Sequence, residues 1–514
     1  MDYLFLLAPE LVLLVGACSV LLAGLSDRSG GREAVSWLAL AAVVVAVAVF
    51  WQVGLTHEHL VRPGIRISPL TAYVRMAVLL VGLVVLLVNL HVPDPPERGE
   101  YTAMILLSMA GVMLTASADD FLTLLLSLEL VSVPTYVLVT VSSREVRAQE
   151  AGLKYFFLGA LSAAFLLYGL TFLYGATGTT RLSAIAGGLP VHAGYAVAGL
   201  LLAIGGLAYK IAAVPLHVYA PDVYQGAAPP IAGLLGFFPK MAGFVAVVRL
   251  LALILPEGPA SSEWVVRDVI FWTLWVIAAT TMTFGNCVAL LQTDVRRVLG
   301  YSSIAHSGYM LMAVLAGPGP LGGPFRDGWS AVLFYLVAYG LANLGAFAVL
   351  GYLNMGGRPA SGLHDICGLA RVQPAAALVL AVCLFSLMGM PPTAGFFAKI
   401  YVFLSGLSLG PEHPHRTAMV ALVLVGVLNS AIGAVYYLRL IGACYLREPR
   451  EFARARPERS LRTGLALCAL AAVLLGLWPR EVVRWAGFAT RDLQPLVFID
   501  RRPLDEVLRP ALRP

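Results

Sequence analysis

The sequence predicts an all-α polytopic membrane protein of about fourteen transmembrane helices. Three observations carry this prediction. Of the 514 residues, 59% are hydrophobic and only 12% charged, a balance foreign to soluble globular domains. Apolar runs of about 20 residues, the length of one helical crossing, recur along the whole chain. The arginines mostly sit in the segments between those runs. Backbone in lipid must satisfy its own hydrogen bonds, so the runs read as helices.

In order, the spans fall at roughly 3–25, 35–54, 69–91, 101–117, 119–141, 150–174, 193–215 and 228–255, then at roughly 269–291, 296–316, 329–353, 373–407, 417–444 and 461–478. The first run, starting MDYLFLLAPE, has no basic segment before it and no small-residue cleavage site after it, so it reads as a retained helix. Orientation follows from basic residues in short loops. Fifteen arginines fall on one side, among them Arg28, Arg144, Arg147, Arg296, Arg297, Arg450, Arg454 and Arg456, and six on the other: Arg62, Arg66, Arg181, Arg267, Arg326 and Arg416. The first side is expected in the cytoplasm and the N-terminus outside, which leaves the Arg-rich tail 479–514 outside as well. Four segments are expected: 1–100 with three helices, 101–255 and 269–444 with five helices each, and 445–514 with a cytoplasmic loop, the last helix and the tail.

The six cysteines are scattered and form no CxxC pair, which reads as buried structural cysteine. No phosphate-binding glycine loop or haem-attachment motif is present. Any redox centres that matter to this protein are therefore expected on other chains, and no nucleic-acid partner is expected.

Charge inside the apolar runs is the informative feature. Of 35 cationic side chains only four are lysine, Lys154, Lys210, Lys240 and Lys399, and each lies in or at the edge of a span. Glu129 sits near the middle of the fifth span, in DDFLTLLLSLELVSVPTYVLV. A charge at the bilayer centre costs at least about 2.5–3.5 kcal/mol, so such residues tend to face a bundle interior and mark an ion or proton route. Arginine holds its proton under essentially all conditions, whereas a desolvated lysine can release one. A carboxylate beside Lys210 would keep it charged, and moving that carboxylate away would let the proton go. Glu129 is the candidate partner. His306, in RVLGYSSIAHSGYMLM, is a relay between Lys240 and Lys399 or simply a satisfied interior histidine. Lys154 lies one turn inside its span beside Glu150 and reads either as a local ion pair or as reaching the interface. Arg75 reads as structural, and Arg249 and Arg439, near span ends, as reaching the interface.

Two spans are interrupted deep in apolar sequence. Pro215 and Pro221 follow Lys210, and Pro391, Pro392 and Gly395 precede Lys399. Proline removes a donor and clashes with the preceding turn, which membranes tolerate where the freed groups line a protein-buried or wet cavity. Paired interrupted helices point to an ion site between repeats. Spans 4–8 and 9–13 are then two inverted five-helix repeats, although the lysine precedes its prolines in one and follows them in the other.

PLHVYAPDVYQGAAPPIAGLLGFFPKMAGF, RRVLGYSSIAHSGYMLM and FSLMGMPPTAGFFAKIYVF resemble the signature segments of subunit N of the proton-pumping NADH:quinone oxidoreductase, respiratory complex I. The resemblance runs over about residues 100–445. It belongs to the antiporter-like subunits, relatives of multi-chain sodium/proton antiporters. It implies discontinuous helices 7 and 12 and a proton route through Glu129, Lys210, Lys240 and Lys399, with Lys154 matching a helix-6 lysine of this subunit. It implies no cofactor in this chain, with NADH, flavin (FMN), iron–sulfur clusters and quinone handled by other subunits. Partners would be neighbouring antiporter-like and small helical subunits in a bacterial plasma membrane. Lys399, where subunit M typically has glutamate, and a tail too short for the lateral helix of subunit L favour subunit N. The alternative is a subunit of a multi-chain Na+/H+ antiporter without redox partners.

Overall fold

The computed structural model describes residues 3–25, 29–53, 60–90, 97–185, 193–252, 261–318, 325–355, 358–411, 413–449, 454–455 and 458–493. Arg28, Arg450 and Arg456 and the tail beyond residue 493 lie outside the described residues, and Arg454 is described in its backbone alone. The described α-helices of seven residues or more are α1 (Ala8–Gly24), α2 (Ser29–Val53), α3 (Pro69–Asn89), α4 (Arg98–Ser117), α5 (Phe121–Val141), α6 (Val146–Thr177), α7 (Ala193–Lys210), α8 (Ala220–Gly226) and α9 (Pro229–Leu235). They continue as α10 (Phe238–Leu251), α11 (Ser261–Leu291), α12 (Val295–Ala316), α13 (Gly328–Tyr352), α14 (Pro374–Met388), α15 (Ala394–Leu407), α16 (Arg416–Leu446), α17 (Arg459–Leu477) and α18 (Arg480–Thr490).

Among the described residues eleven helical stretches are long and apolar enough to cross a membrane, and α1, α7, α14 and α15 are shorter apolar helices beside them. Several begin at a polar side chain that takes up the free amides of the first turn. Ser68, Asp120, Asp294 and Asp327 do so for α3, α5, α12 and α13. The helices apolar all round form the centre: in their most apolar stretches every residue of α9–α10 and 94% of those of α13 are buried, against a third of the residues in α6, α16 and α17.

Small backbone pairings mark two opposite ends of the bundle. At one end β1 (Leu60–Arg62) pairs antiparallel with β2 (Ile65–Ile67), Leu60 opposite Ile67, and Ile65 bridges to Ala118. At the other, β3 (Leu353–Met355) lies between β4 (Arg358–Pro359) and β5 (Arg454–Ala455). These strands were not expected. Neither was the helix after the last long one: α18 packs on α3 and α13, and Thr490 at its end donates to Asp327 at 2.5 Å.

Three arginines are fixed inside the fold. Arg75 makes a two-point ion pair with Glu10 at 2.7 and 2.9 Å and donates to the Leu6 carbonyl, tying α1 to α3 as the structural reading expected. Arg249 and Arg439 are held at the ends of neighbouring helices. Buried Arg249 donates to the carbonyls of Ala116 and Ala118 where α4 ends. Arg439 donates to those of Leu290 and Gln292 where α11 ends. Freed carbonyls at a helix C-terminus attract cations. The described cysteines are unpaired: Cys367, Cys383, Cys444 and Cys468 are buried as expected, but Cys18 and Cys287 are exposed.

The connection between α13 and α14 carries a buried carboxylate outside the apolar helices. Asp365 accepts from Arg358 at 2.8 and 3.0 Å and from the amides of Ser361 and Gly362 at 2.8 and 3.0 Å. Burial alone would raise its pKa, but the guanidinium and the two amides together hold it below the usual value. A carboxylate with a lowered folded pKa stabilises the fold above its ordinary value of about 3.9 and loses that contribution as pH falls below it. Hydrogen exchange at the Ser361 and Gly362 amides should therefore lose protection, after correction for intrinsic rate, as pH drops below about 4. Asp365→Asn should show weak protection at every pH.

Candidate functional site

The site begins where α7 stops. Lys210 is its last residue, and the chain then turns through Pro215 before α8 starts with Pro221 in its first turn. Ala212 sits at φ 55°, a left-handed conformation that non-glycine residues rarely adopt and that clusters at functional sites. Side chains take up the carbonyls this break releases: Tyr219 Oη donates to Tyr209 O at 2.8 Å and Ser307 Oγ to Ile211 O at 2.5 Å. Lys210 is buried, and its Nζ donates to Glu129 Oε1 at 2.8 Å and to Ser132 Oγ. Glu129 is 29% exposed, so the site opens sideways at its acidic end.

Lys240 is the next ammonium. The sequence reading took residues 228–255 as one helix, but the chain turns between α9 and α10, and Pro239 stands in the first turn of α10. A third break thus sits beside Lys240, and Asn343 Nδ2 takes up the Gly233 carbonyl at 3.4 Å. Lys240 is buried and donates to Ser303 O and, at 2.7 Å, to Ser307 Oγ, with its Nζ 5.1 Å from the centre of the Tyr339 ring. A cavity with room for about one water lies between Lys210 and Lys240, lined also by Tyr155, Ala212, Tyr219 and Tyr224.

Lys399 closes the line. α14 ends at Gly389, whose φ of +87° and closeness to the Lys399 side chain leave no room for a Cβ. Pro391 and Pro392 occupy the turn, and a Cβ on Gly395 would stand 1.7 Å from the Ser386 carbonyl, so only glycine lets α15 start there. Lys399 Nζ donates to Met388 O at 2.8 Å and Ser430 Oγ at 2.9 Å, and lies 5.2 Å from the Tyr309 ring centre. His306 stands between Lys240 and Lys399 without bonding to either. Its ring is 4.7 Å from that of Tyr339 and 5.9 Å from that of Tyr309. Its Nδ1 meets Tyr335 Oη at 2.7 Å and its Nε2 meets Tyr437 Oη at 3.0 Å.

The predicted residues Glu129, Lys210, Lys240, His306 and Lys399 therefore fall along one line, buried at all but the partly exposed Glu129. Lys154 does not join it. It is 44% exposed and pairs with Glu150 at 2.7 Å and Asp222 at 2.8 Å, and Asp222 also binds Arg297 at 2.7 Å. The hydroxyls of Ser132, Ser307, Ser430, Tyr335 and Tyr437 and the rings of Tyr309 and Tyr339 escaped the sequence reading. The only signal was spacing: Ser303, His306 and Ser307 share one helical face, as do Tyr335 and Tyr339.

Residues 118–430 match the family described as NADH:quinone oxidoreductase/Mrp antiporter, TM. NADH-quinone oxidoreductase subunit N of Trichlorobacter lovleyi is 36% identical over 494 residues, 94% of this chain and 96% of that protein. The chain belongs to the NADH-quinone oxidoreductase subunit N family. Its fold is similar to a chain of respiratory complex I from Thermus thermophilus, at 29% identity and a TM-score of 0.76, over 93% of this chain and 99% of that one. A chain of the Mrp complex from Dietzia, at 20% identity and a TM-score of 0.80 over 96% of this chain and 98% of that one, shares the fold.

The partners of Lys240 are a carbonyl, a hydroxyl and a ring, none of them a carboxylate. An ammonium so placed does not stabilise the fold. Lys240→Met should assemble with a thermal midpoint no lower than the native protein, read by differential scanning in mild detergent, and a clear drop would show that the charge is structural.

Proposed function

We propose that protons cross by way of Glu129, Lys210, Lys240 and Lys399, with His306 and its tyrosines as the relay between the last two. The chain is a proton-translocating membrane-arm subunit of NADH:quinone oxidoreductase, a multi-pass membrane protein driven by electron transfer elsewhere in the complex. It carries no redox centre of its own: NADH, FMN, iron–sulfur clusters and quinone belong to other subunits. Its neighbours are other antiporter-like and small helical subunits of a bacterial plasma membrane, with β3–β5 on the cytoplasmic side. It crosses the membrane fourteen times, with α7–α8, α9–α10 and α14–α15 each making one interrupted crossing, and its helices form two inverted five-helix repeats between residues 101–255 and 269–444.

The observation that carries this reading is the buried placement of three ammonium groups in sequence, each beside a helix break, with a carboxylate on only the first. In this proposal Glu129 holds Lys210 charged. When Glu129 swings away, the ammonium loses its partner in a dry site and passes a proton through the cavity toward Lys240. Breaking a buried pair costs about 3–5 kcal/mol, against about 2.3 kcal/mol to move one charge across 100 mV. The switch is of the size the task requires.

Lys210→Met and Lys399→Met in the assembled complex test it. Each should keep NADH oxidation by an artificial acceptor while proton uptake by vesicles during quinone reduction falls severalfold. Full pumping in either would sink the proposed route, and sodium-dependent transport without any response to NADH would favour the antiporter alternative.

A further inference from the structure

The Arg-rich end of the chain has no place in the proton line, yet its described part is built with care. The helix α18 begins directly after Trp478 and Pro479, where the apolar run of α17 ends. At about 100° per residue its surface divides into three sectors. Val483, Ala486, Ala489 and Thr490 are buried against α3 and α13. Next round the helix come Trp485 and Phe488, both exposed, with Trp478 just before them 76% exposed. Then come Arg480, Arg484 and Arg491, all exposed, where Arg484 meets Glu481 at 3.1 Å.

The buried sector is bonded as well as packed. Thr490 and Ser330 both donate to Asp327 Oδ2, and their hydroxyls lie 2.8 Å apart. Asp327 also accepts from the amides of Trp329 and Ser330 at 3.0 and 3.3 Å, the free amides at the start of α13. Thr490 is fully buried, so the helix cannot turn about its own axis without leaving this carboxylate.

The orientation so fixed decides what the other two sectors meet. The aromatic sector follows directly in the chain on α17, which exposes Leu470, Leu474 and Leu477. Tryptophan and phenylalanine at the end of an apolar span sit at the boundary between acyl chains and headgroups. Arginines beside such residues would stand at headgroup depth, where a planar guanidinium binds phosphate at two points.

We propose that α18 is an interfacial latch: its Thr490 face holds the start of α13, and Trp478, Trp485, Arg480, Arg484 and Arg491 bind phospholipid, aromatic rings at the acyl boundary and guanidinium groups on the phosphates. The ligand is an anionic phospholipid of the leaflet at the β1–β2 end. Charge complementarity and continuity in the chain with α17 and its exposed leucines select lipid over a protein partner.

The complex, purified in mild detergent and placed in vesicles of phosphatidylcholine and phosphatidylglycerol brominated at a shallow or a deep acyl position, tests this. The difference in fluorescence between the native complex and Trp485→Phe isolates Trp485. Its emission should be quenched strongly by the shallow label and weakly by the deep one. Phosphatidylglycerol carried through purification should fall about fivefold for each of R480Q, R484Q and R491Q, the change that about 1 kcal/mol per basic residue at a lipid surface gives. A Trp485 unquenched at both depths, unchanged phosphatidylglycerol in the triple variant, or a photocrosslinker at position 485 that captures another subunit instead of lipid would each overturn the proposal.

Discussion

The bond from Lys210 to Glu129, 2.8 Å long and set at the end of a helix, is the contact on which the rest depends. An ammonium inside an apolar bundle is expensive unless something nearby is negative. The fold supplies two such things. One is the carboxylate, brought across from α5. The other is the hydroxyl oxygen of Ser132 on the same helix, which accepts from the ammonium. α7 breaks directly after Lys210. Tyr219 and Ser307 then satisfy the carbonyls exposed by that break, and Ser307 also holds Lys240. A change at one member of the line is felt by the next through shared partners.

The same logic reconciles the two halves. In sequence they look mismatched, because one lysine comes before its prolines and the other after. In space Lys399 reaches back across the turn to Met388 O, the end of α14. Lys210 is itself the last residue of α7, and its Nζ turns to Glu129 and Ser132. Each ammonium thus lies beside a helix break, one met by a carboxylate and the other by a carbonyl.

Much of this was legible in the chain. Apolar runs gave the helices, and buried charge with adjacent proline or glycine gave Lys210, Lys399 and the breaks beside them. Lys240 was found for the same reason, but the break before it was missed, because Gly236 and Pro239 read as ordinary residues of an apolar run. The serines and tyrosines were illegible because a hydroxyl or a ring on a helix is common and becomes a partner only when another helix brings a lysine or the His306 imidazole to it. The partners of Arg249 and Arg439 were illegible because sequence shows distance from a span end and not which neighbouring helix ends beside the side chain. The latch at Asp327 depends on residues 163 positions apart, a proximity no local pattern encodes.

The central claim is that Lys210 must let its proton go, not merely be positive. Lys210→Arg keeps the charge and can keep the bond to Glu129, but a guanidinium does not deprotonate in proteins. Proton pumping per electron in the reconstituted complex separates the two ideas. The account predicts an assembled complex that passes electrons from NADH to quinone with its pumping ratio lowered, and a ratio equal to that of the native complex would contradict it.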